Sequence, residues 1–154
     1  MTKPILAAFA AISLLAACAN TDQNTATTGT GGSTIRPGSQ EDLVANVGDR
    51  VLFETDRSSI RADQRPILQR QAAWMQTNSS VTVQVEGHAD ERGTREYNLA
   101  LGQRRANAAR DLLVAGGVAG ARVSTISYGK DRPAALGSDE GAWAQNRRAV
   151  TVVR

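Results

Sequence analysis

The chain is poor in the residues from which most catalytic and metal centres are built. Its 154 residues include a single histidine, His88, and a single cysteine, Cys18. A zinc site would need an almost all-carboxylate remainder, which is an unusual donor set for that ion. Nucleophilic catalysis needs a Ser or Cys partnered with a base and an orienting group, and no recognisable nucleophile elbow accompanies His88. The spacing of His88 and Asp90 admits a metal or acid–base reading, but the bland one is preferred: a histidine packed or hydrogen-bonded where a strand ends. Aromatic residues are scarce, at two each of Trp, Tyr and Phe. They form no stacking platform among the arginines, and a net charge of +3 is too mild to argue nucleic-acid binding despite the pairs Arg104-Arg105 and Arg147-Arg148. No cofactor signature is present. Long apolar runs are also missing: the longest, residues 5–15, is too short to span a bilayer.

That run reads instead as the core of a signal peptide over residues 1–17, with Lys3 as its basic start and Ala16 and Ala17 as small residues at its end. Leu15, Ala16, Ala17 and Cys18 resemble a bacterial lipobox. The resemblance implies cleavage before Cys18, then an S-diacylglycerol and an N-palmitoyl group on that residue. Each buried methylene contributes about 0.8 kcal/mol, so several chains give lasting anchorage. Lipidation also removes the anomaly of a lone thiol in an oxidising compartment. Ala19 is not the aspartate that retains many such proteins at the inner membrane, which implies the inner leaflet of the outer membrane, with the domain in the periplasm. Residues 18–40 are rich in Thr, Gly, Ser, Asn and Ala and read as a flexible tether. As a Gly/Ser-type coil it would span roughly 25–30 Å on average.

The folded domain is expected over residues 41–154. Residues 50–53 read as a first strand, and residues 62–77 as a helix with Leu68, Ala72 and Met75 in its core stripe. Val81, Val83 and Val85 alternate with polar residues, predicting a second strand over 81–86. A long helix follows over 95–115, closed by Gly116-Gly117. Leu99, Gly102, Ala106, Ala109 and Leu113 form its core stripe, whose small members let it lie close to a sheet. Strands are expected over 123–128 and 149–153, with a helical turn near 139–145 between them. The order β-α-β-α-β-β predicts an α+β or α/β two-layer sandwich, its helices on one face of a mixed four-stranded sheet. Strands joined by a helix are expected to be parallel.

Function is sought at the junction between the second strand and the long helix, because ligands favour the carboxyl ends of strands in such layers. Asn98, Leu101 and Arg105 fall at i, i+3 and i+7 on a second face of that helix. Asp90 lies on the preceding loop, within reach of Arg105 if the loop folds back. The loop after the first strand, residues 54–59, is expected at the same edge. A shallow pocket with one anion, one cation and an amide suits a zwitterion, its carboxylate on Arg105 and its ammonium on Asp90. Two charge-assisted bonds in an open groove give weak, micromolar to millimolar binding, which a polymeric ligand raises by avidity. Both charged residues are expected at the surface. The alternative is that Asp90 caps the helix and Arg105 is a solvated surface residue.

The run from Gly87 to Thr94 (GHADERGT), then Glu96-Tyr97-Asn98, Leu101-Gly102, Arg104 to Ala108, Ser127 to Lys130, Pro133 and Asn146 to Val150 resemble the OmpA-like domain of the peptidoglycan-associated lipoprotein (Pal) family. The resemblance covers residues 51–153. It implies non-covalent binding of the meso-diaminopimelate residue in peptidoglycan stem peptides, with Asp90 and Arg105 as the charged contacts and Asn98 beside them. It further implies that Leu101 touches the aliphatic stem, that Phe53 and Glu54 supply the first-strand contact, and that Arg147 adds charge at the rim. Glu54 stands where the family often has Asp, so the contribution there is either a backbone or a carboxylate contact. The implied partners are the cell wall, the outer membrane and the Tol system, including the β-propeller TolB, with a role in envelope integrity and in constriction of the outer membrane at cell division. A protein–protein adaptor without wall binding is the rival reading.

Overall fold

The computed structural model describes residues 35–154. The leader, Cys18 and most of the expected tether lie outside the described residues. Four helices and four strands follow one another as α1 (Gln40–Asn46), β1 (Arg50–Leu52), α2 (Arg65–Thr77), β2 (Val83–His88), α3 (Arg95–Ala115), β3 (Val123–Gly129), α4 (Glu140–Asn146) and β4 (Arg148–Val153). The sheet is mixed and four-stranded, in the order β1-β4-β2-β3. β2 and β3 are parallel, whereas β4 runs antiparallel to both β1 and β2. The last strand therefore inserts between the first two. β1 and β2 share a direction, as their helical connection requires, but they are not neighbours.

Packing follows the apolar stripes. Leu68, Ala72 and Met75 of α2 and Ala106, Ala109 and Leu113 of α3 bury against Val51, Val83, Val85, Val123 and Ala149 of the sheet. Small residues decide how close α3 lies. A Cβ on Gly87 of β2 would fall on the Gly102 carbonyl of α3, and one on Gly102 would collide with the Ser127 hydroxyl. Ser127 in turn donates from Oγ to the Leu99 carbonyl at 2.7 Å. Thr94 caps α3, its hydroxyl accepting from the Tyr97 amide.

Helix α1 is an element that periodicity does not announce, because only Leu43 of its seven residues is buried. It is set by its start. The Ser39 hydroxyl accepts from the Asp42 amide, and the Asp42 carboxylate accepts from the Gly38 amide in return, a reciprocal capping pair. Asp42 also accepts from the Trp74 indole N–H of α2 at 2.9 Å. Past the end of short β1, the Gln40 side chain completes the edge of β4, accepting from the Val153 amide and donating to the Thr151 carbonyl. Helix α2 starts at Arg65, three residues later than expected, and β2 runs two residues further, through Gly87 to His88. No helix among the described residues is long and apolar enough to cross a membrane.

Because the Gly87–Gly102 contact is backbone to backbone, neither element can yield to an added methyl. Gly87→Ala is expected to cost about 3 kcal/mol of stability or more, read from urea unfolding; a loss below about 0.5 kcal/mol would show that α3 is free to move off the sheet.

Candidate functional site

The site forms where three segments meet beyond the carboxyl end of β2: the loop after β1, the loop from Ala89 to Thr94, and the α4–β4 corner. Arg105 ties the loop after β1 to the end of β2. Its side chain is fully buried, and all three nitrogens donate to backbone carbonyls. Nε reaches Arg57 at 2.9 Å, Nη1 reaches His88 at 2.8 Å and Nη2 reaches Glu54 at 3.0 Å. The guanidinium carbon also lies 5.1 Å from the centre of the Phe53 ring. Burial pushes the Arg105 pKa down to about 10, with the Asp90 charge opposing that shift. The group still carries its charge at neutral pH.

Asp90 is only 7% exposed. Its carboxylate accepts from the Arg92 amide at 3.1 Å and from the Arg92 side chain at 3.2 Å (Nε) and 2.6 Å (Nη2). Arg147 Nη1 approaches from the other side at 3.4 Å. Burial alone raises a carboxyl pKa, but the hydrogen bonds and charge of Arg92, with help from Arg147, outweigh it and hold Asp90 below its ordinary value. Arg147 is itself held by Glu140 of α4 at 2.5 Å and by the Phe53 carbonyl at 3.1 Å, while the Phe53 amide donates to the Arg147 carbonyl at 2.9 Å. Asn98 donates from Nδ2 to the Arg92 carbonyl at 2.8 Å, fixing the loop from below.

Six of the seven expected site residues are thus linked into a floor, and Leu101 is buried on the same helix. Asp90 and Arg105, expected at the surface, are both buried, because the two loops fold over the face of α3 that carries Asn98, Leu101 and Arg105. Leu101 is 3% exposed. At Glu54 the carbonyl accepts from Arg105, while the carboxylate turns outward to Arg61 at 3.1 Å. Above this floor opens a cavity of about 200 Å³, lined by Thr55, Asp56, Arg92, Gly93 and Tyr97. None of the seven is among those lining residues. Asp56 sits at φ 53°, left-handed backbone that a side chain rarely adopts, the kind of strain that collects at functional sites. The Arg92 guanidinium stacks 4.1 Å from the Trp143 ring centre, and the Trp143 indole N–H donates to Glu91 at 3.0 Å. Arg92 and Asp56 are the opposed charges of the cavity wall. The sequence signal for them was their place in the two charged loops, which did not separate them from their neighbours.

The sequence profile of the OmpA family matches residues 52–147. Over 154 aligned residues the chain is 54% identical to a peptidoglycan-associated lipoprotein of Mesorhizobium japonicum, covering 98% of this chain and 92% of that protein. The chain belongs to the OmpA family, among the peptidoglycan-associated lipoproteins. The Haemophilus influenzae protein of that name is 41% identical over 139 residues, covering 90% of each chain. Among solved structures, the peptidoglycan-associated lipoprotein of Burkholderia pseudomallei superposes with a TM-score of 0.69 at 40% identity, over 73% of this chain and all of that one. The C-terminal domain of Helicobacter pylori MotB has a TM-score of 0.64 at 24% identity, over 69% of this chain and 84% of that one, and so shares the fold. The OmpA-like architecture, with its helices and mixed open sheet, is therefore established.

His88 closes the region from beneath. It is 2% exposed, and neither ring nitrogen has a hydrogen-bond partner among the described residues; the nearest carboxylate oxygen, on Glu86, is 3.9 Å away. Burial, then the charges of Arg148 and Arg132, push its pKa from 6.5 to about 3. Because the folded-state value lies below the unfolded one, protonation favours unfolding: stability is full above pH 6.5 and is lost as the pH falls towards 3. At pH 5 the loss from His88 is about 2 kcal/mol, so His88→Leu should reduce the acid-induced drop in urea stability by that amount. Arg105→Ala is expected to cost about 3–5 kcal/mol, since it empties a buried charge site and strands three carbonyls. An Arg105→Ala domain with an unchanged urea midpoint would contradict the organising role given to this side chain.

Proposed function

We propose that the chain is an envelope lipoprotein, anchored through acylated Cys18 in the inner leaflet of the outer membrane, whose OmpA-like domain binds peptidoglycan without a covalent bond. The ligand is the free zwitterionic end of meso-diaminopimelate in a stem peptide, and the protein acts by binding, not by catalysis. One observation carries this reading: a strand-end cavity of about 200 Å³ with opposed charges, Arg92 and Asp56, in its wall, the first of them paired with Asp90. That charge pattern matches an ammonium and a carboxylate held on one carbon. The names of the similar lipoproteins support the same ligand class. Asp90 is the anion for the ammonium, Phe53, Glu54, Asn98 and Arg105 shape the loops around it, Leu101 lies beneath the aliphatic stem, and Arg147 holds Asp90 from behind.

In this reading the tether holds the domain against the wall while the lipid holds the membrane, so one chain links the two layers as part of the Tol–Pal system. TolB is the proposed protein partner. A protein contact is favoured by Leu136, which stands 89% exposed on the loop before α4.

The full chain is expected to co-sediment with diaminopimelate-type peptidoglycan and to bind lysine-type wall, which lacks the side-chain carboxylate, at least tenfold more weakly. Asp90→Asn should abolish the sedimentation. Equal sedimentation with both walls, or unaltered sedimentation of a folded Asp90→Asn protein, would overturn the assignment.

A further inference from the structure

The sheet has a second face, and the wall-binding reading makes no use of it. Val51, Val83, Val85, Val123 and Ala149 point at the helices, so their strand neighbours point the other way. On that far face Leu52, Ile126, Val150 and Val152 are only half-buried. They lie close together across the strands, since Glu86 stands opposite both Ile126 and Val150, and Leu52 stands opposite Arg148. Arginines border this apolar strip. Two of them are answered by acids: Arg50 pairs with Asp49 at 2.8 Å, and Arg154 lies 3.8 Å from Glu86. The other two, Arg132 and Arg148, have no carboxylate within ion-pair distance among the described residues, and Arg148 donates only to backbone carbonyls.

The unanswered charge gathers at one end of the face. The Arg132 guanidinium carbon lies 3.6 Å from the centre of the Tyr128 ring, and Arg148 donates from Nη2 to the Arg132 carbonyl at 3.1 Å. Burial, and then the charge of Arg50, lowers the Arg148 pKa. The His88 ring stands 5.7 Å from Tyr128 with neither nitrogen bonded among the described residues. After burial, the charges of Arg148 and Arg132 are what hold that imidazole neutral. The potential at this end is positive, and nothing in the domain itself balances it.

We propose that this far face docks a second protein, which lays an apolar strip flanked by aspartate or glutamate side chains across it. The partner's apolar residues cover Leu52, Ile126 and Val150, and its carboxylates bond Arg132 and Arg148. An apolar centre with a charged rim is the build of a protein interface, where arginine is enriched. Charge decides the occupant. A second copy of this chain would bring the same arginines against these, like charge on like. The chain's own residues 19–34 carry a single acid, Asp22, which is too few to answer two arginines. The face shares no residue with the cavity lined by Thr55, Asp56, Arg92, Gly93 and Tyr97, so the two are open to occupation together.

The probe is a short peptide alternating Val and Glu, titrated into the isotope-labelled full chain in detergent and followed by NMR. The same peptide with Gln in place of Glu is the control. Saturable amide shifts are expected at Leu52, Ile126, Tyr128 and Val150, with the Gln peptide about tenfold weaker and the gap closing in high salt. Arg132→Glu should weaken the Val-Glu peptide by about tenfold, whereas Arg132→Lys should keep most of the affinity. Because Arg132 is exposed, both variants are expected to melt near the wild-type temperature. No binding of the Val-Glu peptide, equal binding of the two peptides, an unaltered affinity in Arg132→Glu, or shifts confined to the cavity residues overturns the proposal. Vesicles of phosphatidylcholine and phosphatidylglycerol give the remaining arm. If they bind the wild type but not Arg132→Glu while the peptide does not bind, the face belongs to a lipid surface and the protein partner is overturned. Each of these outcomes leaves wall binding untouched.

Discussion

Everything at the binding end of this domain depends on one buried cation. Arg105 sits on α3, where the carbonyls of Glu54 and Arg57 on the loop after β1 and of His88 at the end of β2 converge on its guanidinium. The stretch from Glu54 to Arg57 belongs to no sheet or helix, so its shape is dictated by where the arginine's planar fork points. A lysine could satisfy the charge but not the three directions. The Asp90 charge in turn opposes the effect of burial on Arg105, while Arg92 and Arg147 hold Asp90 below its ordinary pKa. Electrostatics and geometry here are one constraint.

The rest of the fold exists to hold that arginine at the right depth. Gly87 and Gly102 let α3 rest its backbone on β2, with Ala106 and Ala109 continuing the close contact. Insertion of β4 between β1 and β2 brings Arg147 up beside Phe53 and Asp90. α4 adds Glu140 and Trp143, which hold Arg147 and Arg92 respectively. A ring of alternating charge then runs from Glu140 through Arg147, Asp90 and Arg92 to the cavity. Such a network is costly to leave partly satisfied.

Much of the architecture was legible in the residues, and its limits have physical causes. Alternation at Val83 and Val85 and the small-residue stripe of α3 mark a strand and a helix that pack together, because period and residue size are local properties. The position of β4 in the sheet is not local, since three to five ladder pairs at long sequence separation decide it. α1 was missed because its stability comes from the Ser39–Asp42 cap and the Asp42–Trp74 contact, not from an apolar stripe. At the site, helical spacing correctly put Asn98, Leu101 and Arg105 on one face. It could not show that two loops cover that face, and a charged residue is ordinarily read as exposed. For the same reason Arg92, which lies over the carboxylate, was indistinguishable from other loop charges.

The central claim is that the strand-end region around Asp90, framed by the buried Arg105, is where the proposed wall ligand binds. The most direct measurement follows backbone amide signals by NMR as a soluble stem tripeptide ending in meso-diaminopimelate is titrated in. The account predicts saturable shifts concentrated at Thr55, Asp56 and the loop from Asp90 to Gly93. Shifts confined to other parts of the domain, or none at all, would contradict it.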